Sequence, residues 1–452
     1  MKVFDQTCAR FPLYTFLLYI SVGPTAYAAD LVEVYRMALS SDPQFQQVAA
    51  NKRAVLEERP QAMANLLPQL SLSADLSGTS SERTGSNAVG FDSRGQSVIL
   101  SESNSDGRSY NLNLLQSIFH GDRYYRLKQA DNSIKQADAE LSAAQIDLAL
   151  RVSSTYFNVL AAVDNLSFAE AEKRSLSRQL EQAKQRFEVG LTAVTDVQEA
   201  QAGYDRAVAD EIRAINEIDN AREALREITG EYLQDLDGLT ESMPMVSPDP
   251  ADIDSWSNTA VTSNLDVIAA IHAVDIARDE IKVQQSGHLP TVDLTARRAF
   301  NKSDTNGPSE NSSDSIGLHL NLPLYSGGAV SSRTRATRER LQQQLEILEQ
   351  IRRQAHRQAR ESYLGVMSGI SQIKALEQAV LSSEVALDAT RTGFEVGTRT
   401  AVDVVLSERA TFQAKRDLSR ARYDYIVNTL NLKKAAGILT IDDIEQINQW
   451  LN

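Results

Sequence analysis

The chain has 452 residues and a net charge of −14 from 46 basic and 60 acidic residues, with one cysteine and five histidines. So acidic a chain is a poor coat for nucleic acid, and a single cysteine excludes a disulfide framework or a cysteine-rich metal site. With 6% aromatics among 42% hydrophobic residues, the composition suits long helices better than a compact aromatic-rich core.

The N-terminus reads as a secretory leader. Lys2 and Arg10 precede an apolar run at 11–22, and Ala26-Tyr27-Ala28 supplies small residues two apart. The run is too short to span a bilayer as a helix. Residues 1–28 are therefore expected to be a signal peptide cleaved after Ala28, which makes the protein an exported one. Cys8 lies ahead of the apolar run, whereas a lipoprotein cysteine follows it, so no lipid anchor is expected. Loss of Lys2, Arg10 and Asp5 leaves 44 basic and 59 acidic residues, a mature charge of −15.

After Pro43, Pro60 and Pro68 no proline occurs until Pro244, and none follows Pro323. Just past Pro68, Leu70, Leu72, Ala74 and Leu76 alternate with Ser71, Ser73 and Asp75. Tyr110, Leu112 and Leu114 alternate with Asn111 and Asn113. Period two predicts strands with one apolar and one polar face. The Ser/Gly/Asn/Asp-rich stretch between Ser77 and Arg108 reads as an exposed loop.

From 122 to 189 there is neither Pro nor Gly, so 68 residues can form one helix about 100 Å long. Leu127, Ala130, Ile134, Ala137, Leu141, Ala144 and Leu148 step by three and four, a heptad seam of small residues that allows close helix approach. The phase slips through Val152 and Tyr156, then resumes at Val159, Val163 and Leu166, a stutter of the kind that changes supercoiling. Gly190 ends the stretch and helical periodicity resumes at once, so the turn is the tip of a helical hairpin.

The second half repeats the first. Phe187-Glu188-Val189-Gly190 recurs as Phe394-Glu395-Val396-Gly397, an offset of 207; Tyr156 matches Tyr363 at the same offset. Met243 to Ser255 carries three prolines and reads as a linker, which divides the mature chain into a first repeat at 29–243, a linker at 244–255 and a second repeat at 256–452. Each repeat is read as helix, β-hairpin and long helical hairpin. In the second, Val292, Leu294 and Ala296 form one strand pattern; Ile316, Leu318, Leu320, Leu322 and Leu324 form the other. Its long helix is expected over 329–396, ending at Gly397. Each strand run of about ten residues has the length of a tilted transmembrane strand. Four strands cannot close a barrel, and open edges are not tolerated in lipid. Two chains supply 2 × 4 = 8 strands, whose interior side chains fill; three supply 12, which leaves a lumen.

The two turn motifs, Phe187-Glu188-Val189-Gly190-Leu191-Thr192-Ala193-Val194-Thr195-Asp196-Val197 and Phe394-Glu395-Val396-Gly397-Thr398-Arg399-Thr400-Ala401-Val402-Asp403-Val404, together with Pro323-Leu324-Tyr325-Ser326-Gly327-Gly328, resemble the TolC family of outer-membrane export channels. The likeness covers essentially the whole mature chain. It implies a mostly α fold with a small transmembrane β part. A long coiled-coil α-helical barrel would join a shared 12-stranded β-barrel, formed as a homotrimer from two internal structural repeats. It also implies a channel-tunnel seated in outer-membrane lipid, docking to a periplasmic adaptor and an inner-membrane ABC, RND or MFS transporter. The cargo would be secreted protein, small toxic compounds or both. By the same resemblance, Asp403 matches a carboxylate ring at the periplasmic aperture, and Asp196 and Arg399 match members of the polar network that closes it. Gly190 and Gly397 are the hairpin-tip turns. This chain departs from better-known relatives twice, with Leu406 in place of a second aspartate and Phe394 in place of a tyrosine. Three copies of Asp403 would repel one another and raise their apparent pKa.

Two other classes fit the sequence less well. His120, His272, His288, His319 and His356 show no zinc-protease spacing, and no nucleophile elbow or phosphate-binding glycine loop is evident, so neither an enzyme nor a cofactor is expected. A pore-free periplasmic coiled-coil adaptor or scaffold is the alternative, but it has no use for amphipathic strands with a lipid-like face.

Overall fold

The computed structural model describes residues 28–82, 89–91, 94, 97–99, 102–240, 243–304 and 308–451. The expected leader up to residue 27, Cys8 included, lies outside the described residues.

Three short helices, α1 (Leu31–Ser41), α2 (Pro43–Leu56) and α3 (Glu58–Ala64), lead into strand β1 (Gln69–Glu82). A small ribbon of β2 (Val89–Phe91) and β3 (Ser97–Ile99) precedes β4 (Glu102–Phe119), α4 (Gly121–Glu188) and α5 (Val194–Thr229). The second half contains α6 (Ile253–Ser263), α7 (Leu265–Gln285), β5 (Thr291–Ser303), β6 (Ser309–Asn321), α8 (Ala329–Glu395), α9 (Ala401–Ala435) and α10 (Ile441–Asn448). The short helices start where sequence chemistry expects them. The side chains of Asp30, Asp42, Asp252 and Asn264 accept from backbone N–H groups of the first turns of α1, α2, α6 and α7. Pro43 sits at the first position of α2, where its missing N–H costs nothing.

The four long strands form one antiparallel sheet in the order β1-β4-β5-β6. Its central pairing, β4 with β5, joins the two halves: Tyr110 faces Phe300 and Leu112 faces Arg298. The loop expected at 77–108 is a correction. β1 and β4 continue into both ends of it, over 77–82 and 102–108, with Ser77 opposite Gly107 and Glu82 opposite Glu102. Ser and Gly lower strand propensity, yet a ladder already aligned by the leucine rows extends through them. The strands run 13–18 residues, longer than the ten-residue cores that alternation marks.

α4 and α8, of 68 and 67 residues, fold back on α5 and α9 as two long hairpins. Ala200, Ala207 and Ala214 of α5 are buried at seven-residue spacing, so small side chains let the helices approach closely. The expected seam on α4 is buried or half-buried from Leu127 to Val159, but Val163 is exposed. At that level α4 turns toward α9, and Asp164 accepts from the hydroxyls of Ser419 and Tyr423.

The largest core lies at the waist, where α1, α10 and the segments 231–240 and 243–246 pack on the hairpins. Tyr156, fully buried, donates its hydroxyl to Asp237 O (2.8 Å) and to Ala29 O (3.1 Å), tying two irregular segments to α4. Phe157 stacks on Tyr423 with ring centroids 5.7 Å apart. Burial raises the pKa of both the Tyr156 and Tyr423 hydroxyls, which therefore serve as neutral hydrogen-bonding groups.

Candidate functional site

The hairpin tips are built by the same device twice. After α4, Leu191 N donates to Arg186 O (2.8 Å) and Gly190 N to Phe187 O (2.9 Å). After α8, Thr398 N donates to Gly393 O (2.8 Å) and Gly397 N to Phe394 O (3.2 Å). This paired pattern requires a left-handed residue at the turn, and Gly190 and Gly397 supply it with φ of 77° and 81°. Glycine at these two positions is thus a backbone necessity.

The expected aperture residues cluster at these tips. Asp403 lies in the first turn of α9 and forms a capping box with Thr400. Its Oδ2 accepts from Thr400 N and Thr400 Oγ1, both at 2.9 Å. The Thr400 N–H, then its hydroxyl, and lastly the nearby Arg399 charge hold the Asp403 carboxyl below the usual carboxylate range. Arg399 follows the turn with its stem lying over Gly393, where a Cβ would come within 2.7 Å of Arg399 Cγ. Asp196 lies in the first turn of α5 and accepts from the Thr192 hydroxyl. Within one chain the structure brings Arg399 to Asp403; Asp196 belongs to the other hairpin and pairs locally. Leu406 is exposed and carries no charge. Phe394 is not idle, because the Arg186 guanidinium of α4 sits 4.8 Å from its ring centroid.

The residues that join the two hairpins near the tip are different ones. Glu408 of α9 is 2% exposed. Its Oε1 accepts from Ser175 Oγ of α4 (2.9 Å) and from Arg391 Nη2 of α8 (2.7 Å), and Arg391 also reaches Ser175 (3.2 Å). Just under one turn higher on α4, buried Glu172 accepts from Arg416 of α9 (3.0 Å). Nearer the tip, Gln179 Nε2 donates to Ala401 O (3.2 Å). A groove of about 580 Å³ opens between the hairpins here, walled by Gln179, Arg186, Arg391, Phe394 and Glu408. A signal for these residues was present in the sequence. Ala401, Val404, Val405, Glu408 and Thr411 form one buried stripe at helical spacing, so Glu408 is a charge on an apolar stripe.

Among the described residues, no group of three or more His, Cys, Asp and Glu side chains could hold a metal ion. Two very long helical hairpins beneath a small sheet with an exposed leucine face define a membrane tunnel protein. The chain belongs to the outer membrane efflux protein family, whose model matches residues 34–231 and 256–438. It is 36% identical to outer membrane protein TolC of Vibrio cholerae serotype O1, over 97% of this chain and 98% of that protein. It is 30% identical to the alkaline protease secretion protein AprF of Pseudomonas aeruginosa, over 93% and 87%. In fold it is similar to the outer membrane protein VceC of Vibrio cholerae, with a TM-score of 0.74, 20% identity and coverage of 90% and 96%. It is likewise similar to CusC, with a TM-score of 0.76, 19% identity and coverage of 96% and 99%. The protein is an outer-membrane efflux and secretion channel. Its family and fold neighbours are channels, not enzymes, and the scaffold alternative is not favoured.

Proposed function

We propose that three copies of this chain close a 12-stranded barrel through the outer membrane and hang an α-helical tunnel into the periplasm. One observation carries this reading, namely the course of the apolar residues across the sheet. The pairing sets Leu70, Leu114, Ala296 and Ile316 in one row and Leu76, Arg108, Lys302 and Glu310 in another. The apolar run therefore lies outward of the first row on β1 (Leu70–Leu76) and on the other side of it on β6 (Ile316, Leu318, Leu320). Its centre shifts by about five residues, ~17 Å, over three strand spacings of ~14 Å in all. A level membrane band crossed by strands tilted roughly 45–50° produces that diagonal, close to the tilt of membrane barrels. On the central strand β4 the polar-face Asn111 is buried while Leu112 of the apolar face is exposed, which supports a polar face turned inward. The unpaired edges of β1 and β6 then find partners in neighbouring copies.

The helical tips form the periplasmic entrance. A periplasmic adaptor and an inner-membrane ABC, RND or MFS transporter deliver cargo there, for type I protein secretion and for efflux of small toxic compounds. Three Asp403 carboxylates ring the aperture, while Arg399 and Asp196 of adjacent hairpins help to close it. The test is planar-bilayer recording on the purified mature protein. A heat-modifiable trimer that conducts ions is expected, and a protein that stays monomeric in mild detergent and never conducts would sink the reading.

A further inference from the structure

We propose that the apolar face of the sheet carries a binding site for a phosphorylated glycolipid of the outer leaflet, made by Arg108, Arg298 and Lys302 beside an apolar trough. This rests on the reading of the sheet as a barrel wall in the outer membrane. Arg298 and Lys302 lie on β5 in the same alternation as Leu294 and Ala296, and Arg108 lies on β4 in that of Leu112 and Leu114. All three therefore stand on the face that meets lipid. Along their strands they lie toward the end remote from the long helices, where the apolar run gives out. The rings of Tyr110 and Phe300, with centroids 6.3 Å apart, occupy the row between Arg298 and the Arg108–Lys302 pair. Aromatic side chains at the rim of an apolar band mark a membrane interface, so the cations stand among the headgroups.

Two observations point to a ligand there. Arg108 and Lys302 are direct partners across the β4–β5 ladder, an unfavourable arrangement for two like charges. Glu310 pairs with Lys302 at 2.6 Å, but among the described residues no acid pairs with Arg108, so the row keeps a positive charge that an anion would relieve. The second observation is the trough. A space of about 420 Å³ opens on the same face between Leu112, Leu114, Ala296 and Ile316, where the small Ala296 leaves room beside larger neighbours. Arg298 and Asp314 stand at its outward end, 3.6 Å apart and both well exposed. Such a pair is weak, so Arg298 can be shared with a phosphate. An acyl chain lying in the trough thus brings its headgroup up to Arg298. From there to the Arg108–Lys302 pair is four residues along the strands, ~14 Å. A single phosphodiester reaches one of these points, whereas a disaccharide phosphorylated at both ends spans them. The occupant is therefore a bis-phosphorylated, acylated disaccharide, the chemistry of the lipid anchor of lipopolysaccharide.

The test is lipid retention by the purified mature trimer after detergent exchange, read by native mass spectrometry. The probes are bis-phosphorylated lipid A, its dephosphorylated form, phosphatidylglycerol and inorganic phosphate, each added separately. Wild type should retain bis-phosphorylated lipid A in preference to the other three. Arg108→Gln and Arg298→Gln should each weaken retention about five-fold, the contribution of one cation near an anionic lipid surface. The double variant should lose about twenty-five-fold, because the two sites are far enough apart to act independently. Ala296→Leu, which narrows the trough and keeps every charge, should also weaken it. Trimer yield and conductance should stay at the wild-type level, because none of these residues faces the lumen. Undiminished retention in the three single variants would overturn the proposal. So would equal retention of phosphatidylglycerol or of the dephosphorylated form, which would leave only an unselective rim, and so would binding of inorganic phosphate alone. In each of those cases conducting trimers keep the channel reading intact. A protein that forms no conducting trimer would overturn the barrel reading, and this site with it.

Discussion

The contact between α4 and α9 changes character along its length. At the waist it is aromatic and fully satisfied. Phe157 stacks on Tyr423, Asp164 receives two hydroxyls, and Tyr156 caps two backbone carbonyls. Toward the tip it is polar and unfinished, with only small apolar clusters such as Leu176–Ala207–Val405 and two orphan buried oxygens. Apolar burial is non-directional and costly to undo, whereas a hydrogen-bonded contact with unsatisfied members can be exchanged for water at little net cost. The same pair of helices is therefore a fixed pivot at one level and a releasable joint some tens of ångströms below. A tunnel that must open at one end without falling apart needs that gradient.

The largest expected effects are at the waist. Phe157→Ala should cost about 3–5 kcal/mol, because it empties a fully buried ring site and removes the stacking on Tyr423. Tyr156→Phe keeps the ring but strips the donor from two carbonyls, for about 1–3 kcal/mol. Both should appear as lower trimer yield and earlier thermal dissociation, with wild-type conductance in the trimers that form. A Phe157→Ala trimer of normal stability and altered gating would reverse the assignment of pivot and joint.

A pair of glycines sharpens the same contrast. Gly437 and Gly397 both adopt left-handed backbone, with φ of 71° and 81°. A Cβ on Gly437 would lie 2.2 Å from Ser263 O, whereas one on Gly397 meets nothing within 4 Å. Gly397→Ala should thus cost only the backbone strain, about 1 kcal/mol. Gly437→Ala should cost several times more, because α9 and α6 must move apart there. Differential scanning of the two variants measures the difference, and equal shifts would mean that the waist is no tighter than the tip.

The long hairpins and their turns were legible because their determinants are local. The absence of Pro and Gly over 68 residues, a heptad of small residues and a glycine followed by renewed periodicity need no knowledge of the rest of the chain. The pairing of β4 with β5 was not legible, since Tyr110 and Phe300 are 190 residues apart and nothing in either strand names its partner. The strand ends at 77–82 and 102–108 were not legible, because their composition is that of a turn while their ladder is set by neighbours. Glu408 could have been found from its buried stripe. A lone carboxylate on a long charged helix usually faces solvent, however, and only the meeting with Ser175 and Arg391 distinguishes it.

A smaller effect is expected at the outermost turn. Arg399 and Asp196 have no bond to each other within the protomer, so any closing contact they make is between hairpins of adjacent copies. Arg399→Ser should raise conductance and admit large antibiotics, but less than Arg391→Met does, because exposed ion pairs are weak. Equal conductance in wild type, Arg399→Ser and Asp196→Ala would leave both as surface charges and shift the whole closure to the buried contact above.

The finest distinction concerns the charge state of the entrance. Rings of carboxylates favour cations and bind multivalent ones, so a trivalent cation should block the wild-type pore. Asp403→Ala should abolish the block, and Leu406→Asp, which adds a second exposed tier, should strengthen it. Two influences act on the pKa of Asp403 with opposite sign. Repulsion among three copies raises it, while the Thr400 N–H, the Thr400 hydroxyl and Arg399 lower it within each copy. A depressed folded-state pKa means that the charge, and the stability of the capped helix start, persist above the ordinary aspartate pKa of about 4. Both are lost only as pH falls through the lower folded value. Because the capping donors touch the carboxylate while its counterparts lie across an aqueous lumen, block should survive to below pH ~4. Thr400→Val removes the hydroxyl and keeps the N–H, so it should shift the loss of block toward higher pH without abolishing it. Recording the block against pH in wild type, Thr400→Val and Asp403→Ala decides between the two influences. Loss of block well above pH ~4 in the wild type would show that repulsion across the aperture outweighs the cap. Block that persists in Asp403→Ala would place the acidic filter elsewhere along the tunnel.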